Sequence, residues 1–514
     1  MKVSITSLRG SFFMTFSPNM TSGVTGAKNR SKYISPQSGM CSLCTEECPG
    51  LCEITQAAVL GKMTVYPTTT GDNQIGSEKD YPVDFSHFNI NGRAFGAIGT
   101  EADYEHAEIF NVNLTSEYGS DNKIKLDLPI VLPALVKMNW PDYFGGAAMA
   151  GVTCMVGEDA RNKDPELKIE NDKITSFPML QMIHDSFYKY HRGPGQMVLQ
   201  CNVDDHLMGV PEIALNKYGF EALEFKFGQG AKGTQPMNRI KDYDEAVKKL
   251  ERGSLVYPNP LDPKVIALRE KGCCPNFYTY GRLPMWTEES MAKRISELRA
   301  MGMKNVYFKM AGFDPIDVER VINIAIENRV DMITFDGAGG GSGYSPAKMI
   351  NEWSLPTVML EKEVVNISSK LQDQGKVLPT MVMTGGLISE DHLFKSLAYG
   401  NGFISAVGVC RGSMAAAMTG KKVGDEIKAG NTPELFKKFG NTIDEVFCDL
   451  ADLRGIYGKE ADKFSTGAIG VFSYLNKLGC GLRHFAALNR KFDLKYLDRS
   501  DLIPLTYNAQ DLMD

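Results

Sequence analysis

Residues 305–337 read NVYFKMAGFDPIDVERVINIAIENRVDMITFDG. An apolar run with aromatic and β-branched residues, Asn305–Gly312, is followed by a helix-patterned stretch, Asp314–Asn328, and by a second apolar run, Asp331–Gly337. Short β-branched and aromatic runs suit pleated strands, whereas apolar residues recurring every three or four positions suit one face of a helix. The runs are apolar at nearly every position, so both faces of each strand must be covered. That is the signature of a parallel sheet flanked by helices.

The same alternation continues in both directions. Further strand candidates are Ile130–Val136, Gly151–Gly157, Met197–Asn202, Ala222–Gly228, Pro379–Gly386 and Gly402–Gly408, with helical stretches such as Leu180–His191, Glu288–Met301 and Glu390–Ala398. Eight strand–helix units predict an α/β fold of the (β/α)8 TIM-barrel type, since an open doubly wound sheet more often has about five or six strands. The barrel is expected over residues 128–430, after an N-terminal cysteine-rich extension, 1–127, and before a C-terminal helical segment, 431–514, that packs on it. The connection at about 229–288 contains Pro258, Pro260, Pro263, Cys273, Cys274 and Pro275 and is too long for an ordinary barrel turn. It reads as a functional insertion over the strand C-termini. No repeat of solenoid period occurs.

The chain has 514 residues, 43% hydrophobic and 23% charged, as in an ordinary soluble globular protein. A net charge of −6 gives a nucleic-acid partner no electrostatic support. No apolar run approaches the roughly 18 residues of a membrane helix. No acidic residue precedes Glu46, while Lys2, Arg9, Lys28, Arg30 and Lys32 are scattered among Ser, Thr and Gly. Either an organellar transit peptide or a flexible basic arm fits this composition, and a cytoplasmic or organellar-matrix location is expected. A homo-oligomer is compatible with the sequence.

Four of the eleven cysteines fall in Cys41-x2-Cys44-x3-Cys48-Pro49-x2-Cys52. A secreted disulfide framework spreads and pairs its cysteines, so clustered thiols point to metal. The spacing approaches that of ferredoxin runs and favours a [4Fe–4S] iron–sulfur cluster; structural zinc and a redox thiol site are the alternatives.

Parallel barrels gather their active sites at the strand C-termini and often hold phosphate after strands seven and eight. The seventh strand here runs into Thr384-Gly385-Gly386-Leu387 and the eighth into Gly408-Val409-Cys410-Arg411-Gly412. Glycine lets backbone N–H groups approach an anion, a helix N-terminus adds its dipole, and Arg411 adds a charge-assisted bond. Each motif alone equally suits a tight turn, but together they favour a phosphate site. The sixth strand ends in Asp336–Pro346, where five of the seven residues 337–343 are glycine. Gly340, Gly341 and Gly343 suit the ribityl-phosphate end of a flavin or a substrate needing close backbone approach, or else a hinge; no Gly-Lys-Ser/Thr follows, which excludes a Walker motif.

Lys226 and Lys309 stand inside apolar strands, where an ammonium is costly unless paired. At a barrel rim such groups stabilise negative charge on a reduced flavin or a carboxylate, or else form structural ion pairs with a nearby Asp or Glu. The third strand ends in Asn202-Val203-Asp204-Asp205-His206, placed for catalysis, but Asp204 or Asp205 is better read as capping the next helix. No Gly-x-Ser-x-Gly elbow is present, which leaves a serine hydrolase little support.

Several of these stretches resemble the FMN domain of glutamate synthase. Lys226-Phe-Gly-Gln-Gly-Ala-Lys232 resembles its Lys-x-x-Gln-Gly-Ala-Lys motif, Tyr307-Phe-Lys309 its Val-Lys-Leu strand, and Thr384-Gly-Gly-Leu387 its Asp-Gly-Gly-Leu turn. Asp336–Pro346 is similar to its Asp-Gly-Gly-Thr-Gly-Ala-Ser-Pro loop with an insertion, and Gly157-Glu158 to the Gly-Glu of its Asn-Thr-Gly-Glu-Gly-Gly motif. The likeness covers roughly residues 128–420. It implies FMN at the barrel mouth, Lys309 near the flavin N1–C2 edge, Ala134 touching the ring through its backbone, and Glu158 close to an imine. Lys309, Lys226 and Glu158 would then be catalytic, with Gln229, Lys232 and Asp336 binding substrate.

Three departures from that family stand out. No glutaminase domain with its nucleophilic cysteine occurs in the sequence, so glutamine is not expected to be hydrolysed within this chain. The cysteines that follow the eighth strand are missing apart from Cys410, and Gly281-Arg282-Leu283-Pro284 replaces paired histidines. The expected activity is FMN-dependent reduction of an imine formed from a 2-oxoacid (2-oxoglutarate-like) and ammonia or an amine. Electrons would arrive by an iron–sulfur route from a donor such as ferredoxin or a reductase subunit. The alternatives are an FMN oxidoreductase on another carboxylate or amine, and a flavin and iron–sulfur electron-transfer subunit.

Overall fold

A computed structural model describes residues 58, 81–135, 139–158, 160–227, 236, 238–338 and 353–514. Eight parallel strands close into a barrel: β1 (Ile130–Leu135), β2 (Thr153–Val156), β3 (Met197–Cys201), β4 (Ala222–Lys226), β5 (Asn305–Ala311), β6 (Met332–Asp336), β7 (Thr380–Thr384) and β8 (Ile404–Gly408). Each strand pairs with its neighbours in sequence, and β8 closes on β1 through Val407 opposite Ile130 and Gly408 opposite Val131. Strands β3 to β6 are buried at every position, the consequence of having a core inside and helices outside. The TIM-barrel class expected from the strand count is therefore the observed one, with strand edges shifted by one or two residues.

The helices that matter below are α1 (Trp140–Met149), α2 (Pro178–Tyr188), α3 (Val203–Leu207), α4 (Val210–Tyr218), α5 (Glu288–Ala300), α6 (Pro315–Glu327), α7 (Thr357–Asp373), α8 (Glu390–Tyr399), α9 (Arg411–Lys428) and α10 (Thr466–Leu488). Their starts are chemically specified. Thr287 and Ser290 form a reciprocal capping box at α5, and Asp314 accepts from the Ile316 N–H at 2.9 Å ahead of Pro315 in α6.

The lower core takes one residue from each strand, Val131, Met155, Val198, Ala222, Tyr307, Met332, Val382 and Ala406. Tyr118 and Leu126 join it from a short antiparallel hairpin, Ser116–Tyr118 with Ile124–Leu126. A hydrogen bond between the Tyr118 and Thr153 hydroxyls (2.6 Å) and one from the Ser120 N–H to Asp331 (2.8 Å) hold this hairpin at the strand N-termini. Side chains alternate along a strand, so the next inward positions are Pro133, Gln200, Glu224, Lys309, Thr334, Thr384 and Gly408. An apolar floor thus carries a polar storey, open toward the strand C-termini.

The long helix α10 crosses α9 and α1 where glycines allow backbone contact. A Cβ at Gly420 would lie 2.5 Å from the Thr466 carbonyl oxygen, and one at Gly146 would lie 2.6 Å from that of Ala468. This crossing fixes α9, whose first residues lie at the barrel rim beside Tyr474 of α10.

A smaller compact unit includes residues 238–283. Its antiparallel sheet has the order Asn238–Ile240, Phe277–Tyr280, Leu255–Tyr257, with helices Tyr243–Glu251 and Pro263–Glu270. Ile240, Ala246, Val256, Val265 and Phe277 form its own core. Among the described residues no helix is long and apolar enough to cross a membrane.

Candidate active site

At the upper end of the barrel, Lys309 of β5 lies in register with Lys226 of β4 on one side and Thr334 of β6 on the other. Its ammonium is 3.3 Å from Asp336 Oδ2 at the end of β6, and the two side chains are 7% and 4% exposed. Lys226 donates to Glu158 Oε1 at 2.8 Å, just beyond the end of β2. Both lysines are therefore engaged by carboxylates, the arrangement weighed in the sequence as the alternative to a functional role. Three of the four partners, Lys226, Lys309 and Asp336, sit at strand positions that face the barrel mouth.

A further carboxylate belongs to this group and was not singled out in the sequence. Glu224, one inward position below Lys226, is wholly buried and accepts from the Gln200 side-chain amide of β3. Its other oxygen, Oε2, has no hydrogen-bond partner among the described residues, nor does the Thr334 hydroxyl. Burial pushes the Glu224 carboxyl above its ordinary range, with Glu158 adding to the rise. Lys309, the Gln200 hydrogen bond and Lys226 oppose it. Lys309 moves the other way from the usual buried lysine. Burial disfavours its ammonium, but Asp336 first, then Glu224 and Cys410, outweigh that and hold its pKa above the ordinary lysine value. The signal in the sequence was a second charge, Glu224, in the same apolar strand as Lys226.

On the opposite side of the mouth, Gly385 and Gly386 follow β7 with φ of 129° and 79°, a left-handed path that strains any residue with a Cβ. Thr357 donates to the Gly385 carbonyl at 2.7 Å, and Thr384 donates to the Gly408 carbonyl at 3.1 Å, so the turn is tied to α7 and β8. A Cβ on Gly408 would approach Thr384 Cβ to 2.6 Å and Pro133 Cγ to 2.8 Å, which accounts for glycine there by packing alone. Cys410 is the N-cap of α9 without a side-chain capping bond, and its thiol lies 3.7 Å from the Pro133 carbonyl. Arg411, the first residue of α9, is half-buried and forms no ion pair among the described residues. Burial lowers its guanidinium pKa, with Cys410 and Asp336 partly opposing. Ala134, on β1, is half-buried and packs against the core.

The segment after β3 forms the short helix α3. The N-cap of α3 is Asn202 rather than Asp204 or Asp205, with Asp205 as its reciprocal partner in a capping box. Asp205 is also ion-paired with Arg161, both nearly inaccessible. His206 stacks on Phe225, packs edge-on against Trp286 and accepts at Nδ1 from Arg294 Nε at 3.2 Å. Phe225 occupies the outward position between Glu224 and Lys226, so this cluster sits between barrel and helices. Gln229, Lys232, Gly340, Gly341, Gly343, Cys41, Cys44, Cys48 and Cys52 lie outside the described residues. One group with metal-ligating atoms was also missed in the sequence: Glu101, Asp103 and His106, all exposed.

The family model described as a conserved region in glutamate synthase matches residues 282–419. That is about a quarter of the chain and includes Lys309, Asp336, Gly385, Gly386, Gly408 and Arg411, while Lys226 and Glu158 lie outside it. No curated protein matches the chain. Among solved structures it is similar to a mutant flavocytochrome b2 with pyruvate bound, at 12% identity over 82% of this chain and 76% of that chain, with a TM-score of 0.45. It is also similar to a mutant mandelate oxidase with a monooxide FMN adduct, at 13% identity over 82% and 88%, with a TM-score of 0.42. The flavin-binding domain of baker's yeast flavocytochrome b2 gives 12% identity over 82% and 78%, with a TM-score of 0.45. Likeness at this distance assigns no residue a role.

Proposed function

We propose that the barrel binds FMN at its C-terminal rim and acts as an oxidoreductase on a substrate carrying a carboxylate or an amine. The observation that carries this reading is Arg411. A half-buried guanidinium without an ion pair among the described residues stands at the start of an 18-residue helix lacking a side-chain cap, after β8 as Gly385 and Gly386 are after β7. A phosphate is the anion that this combination of charge, free N–H groups and glycine turn best accommodates. The resemblance of residues 282–419 to the glutamate synthase region supports FMN as its bearer.

When bound, FMN supplies two-electron redox chemistry. The chain's own groups divide the remaining work. Arg411 with the backbone of Gly385, Gly386 and the α9 start would hold the FMN phosphate, with Ala134 near the ring. Lys309, kept protonated by Asp336 and Glu224, offers positive charge where negative charge develops. Lys226 and Glu158, an ammonium and a carboxylate held 2.8 Å apart, offer complementary contacts to a substrate that bears both kinds of charge.

The narrower reading is reduction of an imine formed from a 2-oxoacid and ammonia or an amine, favoured by the Lys226–Glu158 pair and the glutamate synthase region. Its electrons would come from a ferredoxin or reductase partner through an iron–sulfur cluster on Cys41, Cys44, Cys48 and Cys52. Anaerobic purification with added FMN tests the first part: flavin absorption bands that survive gel filtration are expected, and colourless protein overturns it. Reoxidation of the reduced enzyme by 2-oxoglutarate plus ammonia, and not by 2-oxoglutarate alone, tests the second.

A further inference from the structure

Among the described residues, five charged side chains group on β4 to β6 and just beyond β2: two ammonium groups, Lys226 and Lys309, and three carboxylates, Glu158, Asp336 and Glu224. Two of the carboxylates are committed to ion pairs, Glu158 with Lys226 and Asp336 with Lys309. Glu224 is the odd member. It has one hydrogen bond, from Gln200, and an Oε2 that meets no donor among the described residues. The neighbouring strands supply Gln200 from β3, and Tyr307 and Lys309 from β5, with Lys226 on its own strand and Glu158 beyond β2. The Tyr307 hydroxyl is turned to Gln196 at 2.5 Å and is not offered to Glu224.

We propose that Glu224 is a proton-uptake group that makes binding of an anionic, carboxylate-bearing substrate at Lys226 and Lys309 proton-linked. This rests on the reading above that these lysines face the substrate. Ionised together, these five described groups carry one net negative charge, and an arriving carboxylate adds another close to a wholly buried carboxyl. One proton taken from solvent onto Glu224 Oε2 offsets that charge and gives the unpartnered oxygen a hydroxyl. Glu158 and Asp336 are worse acceptors, because protonating either breaks an ion pair. Burial has already moved Glu224 in the required direction.

Linkage fixes the sign. Uptake occurs between the carboxyl's pKa in the free site and its higher value in the complex, so affinity is greatest at low pH and falls as pH rises through that window, by up to about tenfold per pH unit.

The experiment is isothermal calorimetry of the FMN-supplemented protein with 2-oxoglutarate as probe, in pairs of buffers with different ionisation heats across pH 5 to 8. Wild type is expected to take up a proton on binding within one pH window. Glu224→Gln, which mimics the protonated acid, is expected to bind with uptake lost and a flat pH profile. Gln200→Leu removes a hydrogen bond to the carboxylate and is expected to move the window to higher pH, which keeps the idea testable should Glu224→Gln fold poorly. Equal proton uptake in wild type and Glu224→Gln, an unmoved window in Gln200→Leu, or no uptake or no binding in wild type overturns the inference. Retention of flavin is read separately from absorbance, so proton-linked binding by a protein that rejects FMN would sink the cofactor reading and leave this one standing.

Discussion

Lys226 and Lys309 lie directly opposite one another on adjacent parallel strands, and each is held by a carboxylate from a strand end on its far side. Two ammonium groups at neighbouring inward positions would repel in a buried site. Glu158 at 2.8 Å and Asp336 at 3.3 Å make their coexistence stable.

Lys309→Met removes one partner of the buried Lys309–Asp336 pair, which costs about 3–5 kcal/mol of stability. Combining it with Asp336→Asn is expected to recover much of that loss in denaturant unfolding, while flavin-dependent turnover stays down by about 100-fold or more. A double variant that regains turnover would show that Lys309 is structural only.

Arg411→Ala deletes a cation without an ion-paired partner among the described residues, so the barrel's melting temperature should hardly move. FMN affinity is expected to fall by roughly 2 kcal/mol, about 30-fold, as for loss of a charge-assisted hydrogen bond. Flavin fluorescence titration measures it. Unchanged affinity would remove the phosphate assignment.

Gly420→Ala introduces a methyl 2.5 Å from the Thr466 carbonyl at the crossing of α9 and α10. Backbone cannot yield as a side-chain tip does, and a loss of about 1–3 kcal/mol is expected from overpacking. Because α9 begins at the rim, FMN affinity should fall with it; thermal unfolding and flavin titration read the two effects.

His206 gives an acid-sensitive element distinct from the mouth. Burial, then the Arg294 charge, lowers its pKa to about 3, so folding holds it neutral. The folded pKa is depressed for a base, so stability is lost as pH falls below the unfolded value of about 6.5, by about 2 kcal/mol at pH 5. Urea unfolding of wild type and His206→Gln at pH 7.5 and 5 should show that difference in the wild type alone.

The strands were legible because barrel strands are apolar on both faces: β5 and β6, read as Asn305–Gly312 and Asp331–Gly337, end within one residue of Ala311 and Asp336. The capping role of Asp205 was legible for a similar reason, since caps depend on residues a few positions apart. Glu224 was passed over because a single carboxylate in a strand has no meaning until the opposite strands are known.

The sequence alone determined the alternation of strand and helix, the count of eight, and the glycine-rich rims, all consequences of local periodicity and backbone sterics. Only the closed barrel decided which charges meet. Gln200, Glu224, Lys226 and Lys309 come from three strands, and Glu158 and Asp336 from the ends of two others. Register and closure, which depend on contacts distant in the chain, bring them together where burial makes their charges interact more strongly than at the surface.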